Sequence, residues 1–282
     1  MTRIAVDICN SYISLMIAKK HASGLKSREY KVMLNLRKFR RGKKSISRFA
    51  ELLADCIQSF QKKKAARKPF LLADEHEIVF LDSKENSINA HRLLLRQRTV
   101  VSWKKKVELT LKCRSPDYFI AVDSQVESSA GFNGKPKFEE DIGPPFVSKF
   151  SRSNTIALKG ETPTNFDEAI EYFPGLKEVA CTSASNTLHV VNDLRIKEKV
   201  FDGPQVTINS KAATFALILW SKKEKGKVVA AELSFRYRLE DGQVDRPTAL
   251  RFLDLYESIQ QIDWSSASSP TKTEYLYSGN RL

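Results

Sequence analysis

The chain has 282 residues, of which 41% are hydrophobic and 28% are charged, and its 47 Lys and Arg against 33 Asp and Glu give a formal net charge of +14. This length and composition indicate a globular protein with a full core, in one large domain or two smaller ones, and argue against a disordered chain. The positive charge favours polyanionic partners, namely phosphates, nucleic acid or an anionic membrane surface, without choosing among them.

The first apolar stretch, Ile4 to Ile17, argues against export and membrane insertion. Asp7 and Asn10 interrupt it, and it lacks the basic region and unbroken apolar region of a signal peptide. It is also too short and too polar to span a bilayer. The four cysteines are widely spaced, with no CxxC pair and no nearby His pair for zinc, so we expect free thiols. We therefore predict a cytoplasmic protein without a membrane partner.

In chain order, an alternating pattern predicts a first strand over residues 29–36, followed by a basic turn at residues 39–44. From Ser45 to Phe60 the apolar residues follow a helical period. We therefore predict a helix that begins at Ser45 and ends in the basic run 62–68, where cations suit the negative end of the helix dipole.

The rest of the chain is dominated by short strands. Asp202 and Gly203 are predicted to form a hairpin turn between two of them. No internal repeat and no sharp change of composition marks a domain boundary. The further strands are predicted over residues 77–81, 91–98, 104–114, 137–142, 187–191, 194–201, 205–209, 214–220 and 228–238, and two helices over residues 166–172 and 247–262.

Charged residues recur at every second position of these strands. Side chains alternate between the two faces of a strand, so each set lies on one face, opposite Val, Leu, Ile or Phe. Such strands side by side form a surface of mixed charge, although a half-buried sheet with its charges in water gives the same pattern. The sets are Glu29 and Lys31; Arg96 and Arg98; Lys104, Lys106, Glu108 and Lys112; Lys137, Glu139 and Asp141; Arg195, Lys197 and Lys199; and Glu232, Arg236 and Arg238.

Several common catalytic motifs are missing from the sequence. It contains no Walker-type phosphate loop, no GxGxxG, no HExxH and no GxSxG. Its four histidines are too scattered to indicate a metal cluster or a catalytic triad, and we expect them to be surface or packing residues.

Six short segments, taken in order, resemble the motifs of the CYTH, or triphosphate tunnel metalloenzyme, superfamily. They are SREYK at residues 27–31, which resembles ExExK; VFLDS at 79–83, which resembles YFDT; LLLRQR at 93–98, which resembles LRxR; VELTLK at 107–112, which resembles TxK; VAAELS at 229–234, which resembles AExE; and TKT at 271–273, which resembles SKY. Each segment alone is a weak match, but together they keep the order of the motifs and span nearly the whole chain.

The resemblance implies an α+β fold, with a closed antiparallel β-barrel of about eight strands that forms a tunnel and has helices packed outside. It also implies a single domain over residues 26–282, after an N-terminal extension over residues 1–25. The alternating charges fit this fold, because every strand of a barrel sends alternate side chains inward. In proteins of this superfamily, tunnel Lys and Arg hold a triphosphate, and Glu residues hold one or two Mg²⁺ or Mn²⁺ ions.

By resemblance, the candidate metal-ligating and catalytic residues are Glu29 and Glu232, and the phosphate-binding residues are Lys31, Arg96, Arg98 and Lys112, with Arg195 as a further candidate. From the alternation we add Lys106, Lys137 and Arg236 as phosphate-binding residues and Glu108, Glu139 and Asp141 as metal ligands, with Glu139 also a catalytic candidate. Any of these cations could instead pair with an acid across the sheet.

The sequence also departs from the superfamily. Ser27 and Ser234 replace acids of two motifs, and the strand 213–220, where a second acidic pair is usual, has no carboxylate. Either Glu139 and Asp141, with Glu108, rebuild the metal site, or the tunnel binds a polyanion without hydrolysing it.

Two functions therefore stay open. The first is a divalent-metal-dependent phosphohydrolase acting on triphosphate, polyphosphate or a nucleoside triphosphate, with a class IV adenylyl cyclase as a chemical neighbour. The second is a non-catalytic protein that binds polyphosphate, nucleotide or RNA. Convergence of three or more of the candidate carboxylates favours hydrolysis, whereas pairing of each one with Lys or Arg favours binding.

Overall fold

The computed structural model describes residues 24–62, 68–101, 106–158, 161–222, 226–266, 269 and 271–278. Its strands are β1 (Ser27–Met33), β2 (Leu71–Asp82), β3 (Leu93–Val100), β4 (Val107–Ser115), β5 (Lys135–Gly143), β6 (Val147–Leu158), β7 (His189–Val190), β8 (Ile196–Ile208), β9 (Lys211–Lys222) and β10 (Val228–Arg238). Its α-helices are α1 (Lys43–Gln61), α2 (Ser87–Ala90), α3 (Tyr118–Val122), α4 (Phe166–Tyr172), α5 (Leu176–Thr182), α6 (Arg246–Gln260) and α7 (Lys272–Tyr277).

All ten strands belong to one sheet, which closes into a ring. Nine strands form the ring in the order β3, β4, β6, β5, β1, β10, β9, β8 and β2, and β2 pairs back with β3. The two-residue β7 pairs with the end of β2. The α+β fold with a closed sheet is thus confirmed, with nine strands in the ring. An odd ring cannot alternate in direction throughout, and its single parallel pair is β1 with β5.

Most of the outer face of the ring is apolar and packs against helices. One apolar cluster joins β1, β8, β9 and β10 to α1 and α6, and it contains the stacked rings of Tyr30 and Phe235, whose centroids are 4.8 Å apart. A second cluster joins β2, β3, β4 and β6 to α4 and α5. Alternating apolar residues of each strand supply these clusters, and burial of their area is the main stabilising contribution.

One end of the ring is closed by α7. Tyr275 and Leu276 of this helix pack against Phe80, Ile196 and Trp220, which lie on the inner face of their strands. The helix begins with a capping box between Thr271 and Glu274. These hydrogen bonds stabilise the first turn of a short helix and so hold its apolar residues in position. None of the helices in the described ranges combines the length and apolar character needed to cross a membrane.

The predicted hairpin turn at Asp202 and Gly203 is wrong. These residues lie within β8, which is continuous from Ile196 to Ile208 and has an irregular register at this point. Gly203 is needed for space, because a Cβ atom there would approach the ring of Phe70 to an impossible distance. The chain turns instead after Ile208, where Asn209 has a φ of +52°.

The other predicted elements are close to those observed, with five omissions and a β2 that begins six residues before the predicted strand. The first strand and first helix begin two residues earlier than expected, at Ser27 and Lys43. The predicted start of the 104–114 strand lies partly outside the described residues, and the described strand begins at Val107. The sequence patterns do not predict β6 or the helices α2, α3, α5 and α7.

Candidate functional site

Away from the apolar end that α7 closes, the inner face of the ring is polar and charged. Strand register places alternate residues of each strand on this face, and ion pairs there join strands that are not neighbours in the sheet. For example, Arg98 of β3 contacts Glu198 of β8, across the intervening β2. Such contacts are possible because the sheet is closed, so the charges face one another instead of bulk water.

Three carboxylates converge at the parallel pair of strands. Glu29 of β1 is aligned with Asp141 of β5, and Ser27 with Glu139. Oxygen atoms of Glu29, Glu139 and Asp141 all lie within 4.8 Å of one another, and we refer to these residues as the acidic trio. Ser27, which replaces an acid of the superfamily motif, donates a hydrogen bond of 2.8 Å to Glu139. β1 therefore lacks the acid of the motif at Ser27, but β5 supplies an acid, Glu139, beside that position.

Lysine and arginine residues surround the acidic trio. The ammonium of Lys31 bridges two of its members, at 2.9 Å from Asp141 and 3.1 Å from Glu29. Arg114 contacts Asp141 at 2.7 Å. Toward the open end of the ring, the exposed Lys137 and Arg236 contact Glu139 at 2.7 Å and 3.4 Å.

These contacts keep the trio ionised. Burial opposes the charge of Glu29, but Lys31 outweighs it and lowers the pKa of Glu29 to about 2. Burial likewise opposes the charge of Asp141, and Lys31, Lys112 and Arg114 hold its pKa well below the ordinary value. The pKa of Lys31 is raised, because its two carboxylate partners outweigh the effect of burial.

Two cations of the inner face are poorly paired. Arg96 makes no ion pair with any described residue, its Nε atom is buried without a hydrogen-bond partner, and its one side-chain bond is a long 3.5 Å contact to Thr110. Lys112, on the neighbouring strand, has Asp141 as its one ion-pair partner among the described residues, at a distance of 3.7 Å. Burial, followed by the charge of Arg98, lowers the pKa of Arg96 to about 10. Burial lowers the pKa of Lys112 to about 7, against the attraction of Asp141.

A second cluster lies on the inner face around Glu198, which the sequence analysis did not identify. This buried carboxylate accepts hydrogen bonds from Arg98 at 3.0 Å and from the indole of Trp220 at 2.7 Å, and lies 3.3 Å from His76. Burial opposes its charge, but His76 and Arg98 hold the pKa of Glu198 well below its ordinary value. The cluster fixes the position of Arg98.

The remaining predicted site residues lie apart from the trio. Glu232 is buried and accepts a 2.8 Å bond from Lys272 of α7. Lys106 and Glu108 pair with each other at 2.8 Å, and the lysine is half exposed. Arg195 is exposed and lies just before β8. It is two positions from Lys197, so the alternation of the strand puts it on the outer face, opposite to Glu198. Lys104 and Trp103 lie outside the described residues.

Arg114 is another inner residue that was not predicted from the sequence. It lies two positions after Lys112 on β4, so extending the same alternation would have found it. Besides Asp141, it reaches Thr273 of α7 at 3.4 Å. A cavity of about 230 Å³ opens here beside α7, and its lining includes three cations, Arg92, Arg114 and Lys149, and no carboxylate.

Comparisons with known proteins leave the family of this chain open. No protein-family profile matches it, and no curated protein matches it. Among solved structures, it is similar to HpAC1 from Hippeastrum, a candidate adenylyl cyclase described as having a dominant triphosphatase activity, with 12% identity, a TM-score of 0.46, and 92% of this chain and 98% of that chain covered.

Two further solved structures are similar at the same level. A candidate adenylate cyclase from Bacillus halodurans shows 9% identity and a TM-score of 0.41 over 90% of this chain and 98% of that one. The PH1819 protein from Pyrococcus horikoshii OT3 shows 11% identity and a TM-score of 0.42 over 89% and 98%. At these identities and TM-scores the likeness assigns no activity to this chain.

The acidic trio has the chemistry of a divalent-cation site. Hard carboxylate oxygens are the preferred ligands of Mg²⁺ and Mn²⁺. Lys31 already places one positive charge between Glu29 and Asp141, which shows that this position favours a cation. The residues present therefore fit a divalent ion, provided that Lys31 moves from between them.

Proposed function

We propose that the inner face of the ring binds a triphosphate or polyphosphate chain, free or as part of a nucleotide, and that the protein hydrolyses it with a divalent cation, Mg²⁺ or Mn²⁺. The observation that supports this proposal is the pair of poorly paired cations, Arg96 and Lys112, on the neighbouring strands β3 and β4. Lys112 lies 3.7 Å from Asp141 of the acidic trio, and Arg96 lies on the next strand, so both cations face the same space inside the ring as the trio.

An anion would satisfy these two cations. A buried charge without a partner is costly, and protein interiors normally pair it or neutralise it. Here the guanidinium of Arg96 has unused donors and Lys112 has one distant carboxylate. A phosphate group offers several acceptor oxygens to a guanidinium fork and to an ammonium at once.

The acidic trio would provide the ligands for the metal ion, beside the cations that bind the phosphates. Glu29, Glu139 and Asp141 would hold the ion, which when bound supplies charge neutralisation at the phosphate and orients the attacking water. Lys31, released from the trio, would then be free to contact a phosphate oxygen. Arg98, fixed by Glu198, would present its remaining donors to the same chain of phosphates.

Binding without hydrolysis is the second candidate, and one observation favours it. Each carboxylate of the acidic trio is already paired with Lys or Arg: Glu29 with Lys31, Asp141 with Lys31 and Arg114, and Glu139 with Lys137. A metal would have to compete with these cations for its ligands. If it cannot, the same inner face holds a polyanion and releases nothing.

Phosphate release and thermal shift, measured on the same preparations, separate the two functions. Tripolyphosphate, ATP and GTP are each added with Mg²⁺, Mn²⁺ or excess chelator, and the ATP products are resolved to detect cyclisation. Metal-dependent release supports hydrolysis. Stabilisation by tripolyphosphate without release supports binding alone.

The absence of both release and stabilisation would overturn both functions. Arg195→Ala is the control variant. It removes an exposed arginine that lies off the inner face, so it should leave both phosphate release and thermal stabilisation unchanged.

A further inference from the structure

A strongly basic patch lies on the outer surface, away from the inner face of the ring. It covers residues 36–48, where the chain leaves β1, forms a 3-10 turn at Leu36–Phe39 and begins α1. This segment contains seven cations and no Asp or Glu, and we refer to it as the basic patch. Its cations are Arg37, Lys38, Arg40, Arg41, Lys43, Lys44 and Arg48.

Most cations of the basic patch have no counter-charge. Lys38 pairs with Asp263 at 2.6 Å and Arg48 with Glu51 at 2.9 Å. The other five are exposed and make no ion pair with any residue in the part of the chain that the structure describes: Arg37, Arg40, Arg41, Lys43 and Lys44. The positive potential of this segment is therefore directed to solvent.

The basic patch is also placed where cations are unfavourable for folding. Lys43 and Lys44 occupy the first turn of α1, which contains no acidic residue and begins at Gly42 without a side-chain cap. The N-terminus of a helix carries a partial positive charge, so each nearby cation costs about 0.3–1 kcal/mol. Local arrangements that oppose stability are expected where function requires them.

The basic patch is anchored to the core. Phe39, in its middle, is buried and packs edge-on against Trp264, with ring centroids 5.2 Å apart, and against Phe49 at 5.9 Å. The backbone that carries the cations is thus fixed, although their side chains are free. A fixed array of cations loses less conformational entropy on binding than a mobile tail does.

We propose that the basic patch binds the phosphodiester backbone of a nucleic acid without reading its bases. Repeated phosphates match an array of unpaired cations, and their neutralisation releases counterions. The patch has no exposed aromatic residue on which a base could stack, so sequence readout is not expected. It also has no exposed large apolar residue to insert into a bilayer, which disfavours a membrane surface. This activity does not depend on the function of the inner face.

Fluorescence anisotropy with a labelled 20-nucleotide RNA and a 20-base-pair DNA duplex, from 50 to 200 mM KCl, tests the proposal. The variant R40Q/R41Q/K43Q/K44Q changes exposed residues only, so its fold is expected to persist. We expect its affinity at 50 mM KCl to fall at least tenfold. The slope of log K against log salt should fall by about 0.7 per lost phosphate contact on RNA and about 0.9 on duplex.

Two controls make the result specific. R40K/R41K keeps the charge and should retain affinity within about threefold, because the contacts are electrostatic. K197Q/K199Q removes lysines that already pair with Glu75 on the outer face, and should change affinity less than twofold. Failure of the wild-type protein to bind either nucleic acid, or equal binding by the fourfold variant, would overturn the proposal. Binding to phosphatidylserine vesicles but not to nucleic acid would overturn it in favour of a membrane partner.

Discussion

Lys31 and Asp141 form an ion pair of 2.9 Å across the single parallel strand pair of the ring. The same ammonium contacts Glu29, so one side chain holds two carboxylates of the acidic trio together. Without Lys31, the buried carboxylates of Glu29 and Asp141 would repel each other and lower the stability of the fold. A divalent ion bound between them would remove this repulsion.

Replacing Lys31 by Met is therefore expected to make stability depend on metal. In excess chelator, K31M should unfold at a lower temperature than wild type, and Mn²⁺ should recover at least half of the loss. Thermal unfolding followed by circular dichroism measures both. K137M is the matched control, because Lys137 is exposed and contacts only Glu139 of the trio; its loss should be smaller. A K31M protein that Mn²⁺ does not stabilise would argue against a metal at the trio.

The lowered pKa of Lys112 predicts an unusual stability effect. Its pKa is about 7 in the folded protein, against an ordinary 10.5. Between these two pH values the unfolded chain binds more protons than the folded protein does. Burial of the charged Lys112 therefore lowers the free energy of unfolding most at and below pH 7, and this effect vanishes as the pH approaches 10.5. K112M should raise the free energy of unfolding at pH 7 by about 1–3 kcal/mol, since Asp141 keeps Lys31 and Arg114 as partners.

Urea unfolding at pH 7 and at pH 10 checks this, with a smaller difference expected at pH 10. The same variant should bind tripolyphosphate at least tenfold more weakly, because it lacks the cation. Destabilisation at pH 7 would show that Lys112 is better solvated than its surroundings indicate.

Arg96 and Arg98 are expected to behave differently although both belong to one predicted motif. R98A leaves the buried Glu198 without its arginine, and loss of one partner of a buried pair typically costs about 3–5 kcal/mol. R96A removes a cation with no ion pair among the described residues, so its free energy of unfolding should change by less than about 1 kcal/mol. Both should weaken tripolyphosphate binding, by about 10- to 100-fold for R96A.

Urea denaturation and calorimetric titration with tripolyphosphate separate these effects. The tunnel assignment would fail if R96A bound tripolyphosphate as tightly as wild type does. Adding E198Q to R98A removes the orphaned charge, and the double variant should recover part of the lost stability.

Glu232 connects the inner face to the closing helix α7. We predict that E232Q leaves metal-dependent phosphate release and tripolyphosphate binding within about threefold of wild type, because Glu232 lies apart from the acidic trio and is paired with Lys272 of α7. It should also release Lys272 and speed amide hydrogen exchange in α7. T271A is the control: it removes the helix cap, at a cost of about 1 kcal/mol, and leaves Glu232 in place. A loss of turnover of tenfold or more in E232Q, with tripolyphosphate binding unchanged, would contradict this and add Glu232 to the metal site.

The sequence predicted the site best where one strand face is charged and the other apolar. On β1 and β5 most of the charge lies on the inner face, apart from Arg28 and Glu140, which pair with each other on the outer face. Glu29, Lys31, Glu139 and Asp141 do meet on the inner face. On β8 the contrast fails, because both faces carry charge. Lys197 and Lys199 pair with Glu75 on the outer face, whereas Glu198 points inward.

Other elements left no pattern to read. Most inner positions of β6 are small, namely Ser151, Ser153, Thr155 and Ala157, and Lys149 is the one charged residue among them. No repeat of charge or hydrophobicity therefore marks that strand. The convergence of the trio also depends on a parallel pairing between β1 and β5, which are far apart in sequence. Alternation within a strand gives its faces but not its neighbours.

The position of β1 in the ring also determines when the sheet can close during synthesis of the chain. β1 is the first described strand to leave the ribosome, yet its neighbours are β5 and β10, the latter being the last strand of the sheet. One of its edges therefore stays unpaired until residues 228–238 have been made. Closure is a late event over long sequence separations, which predicts slow folding. Chains cut before Val228 would keep an open strand edge and are expected to aggregate.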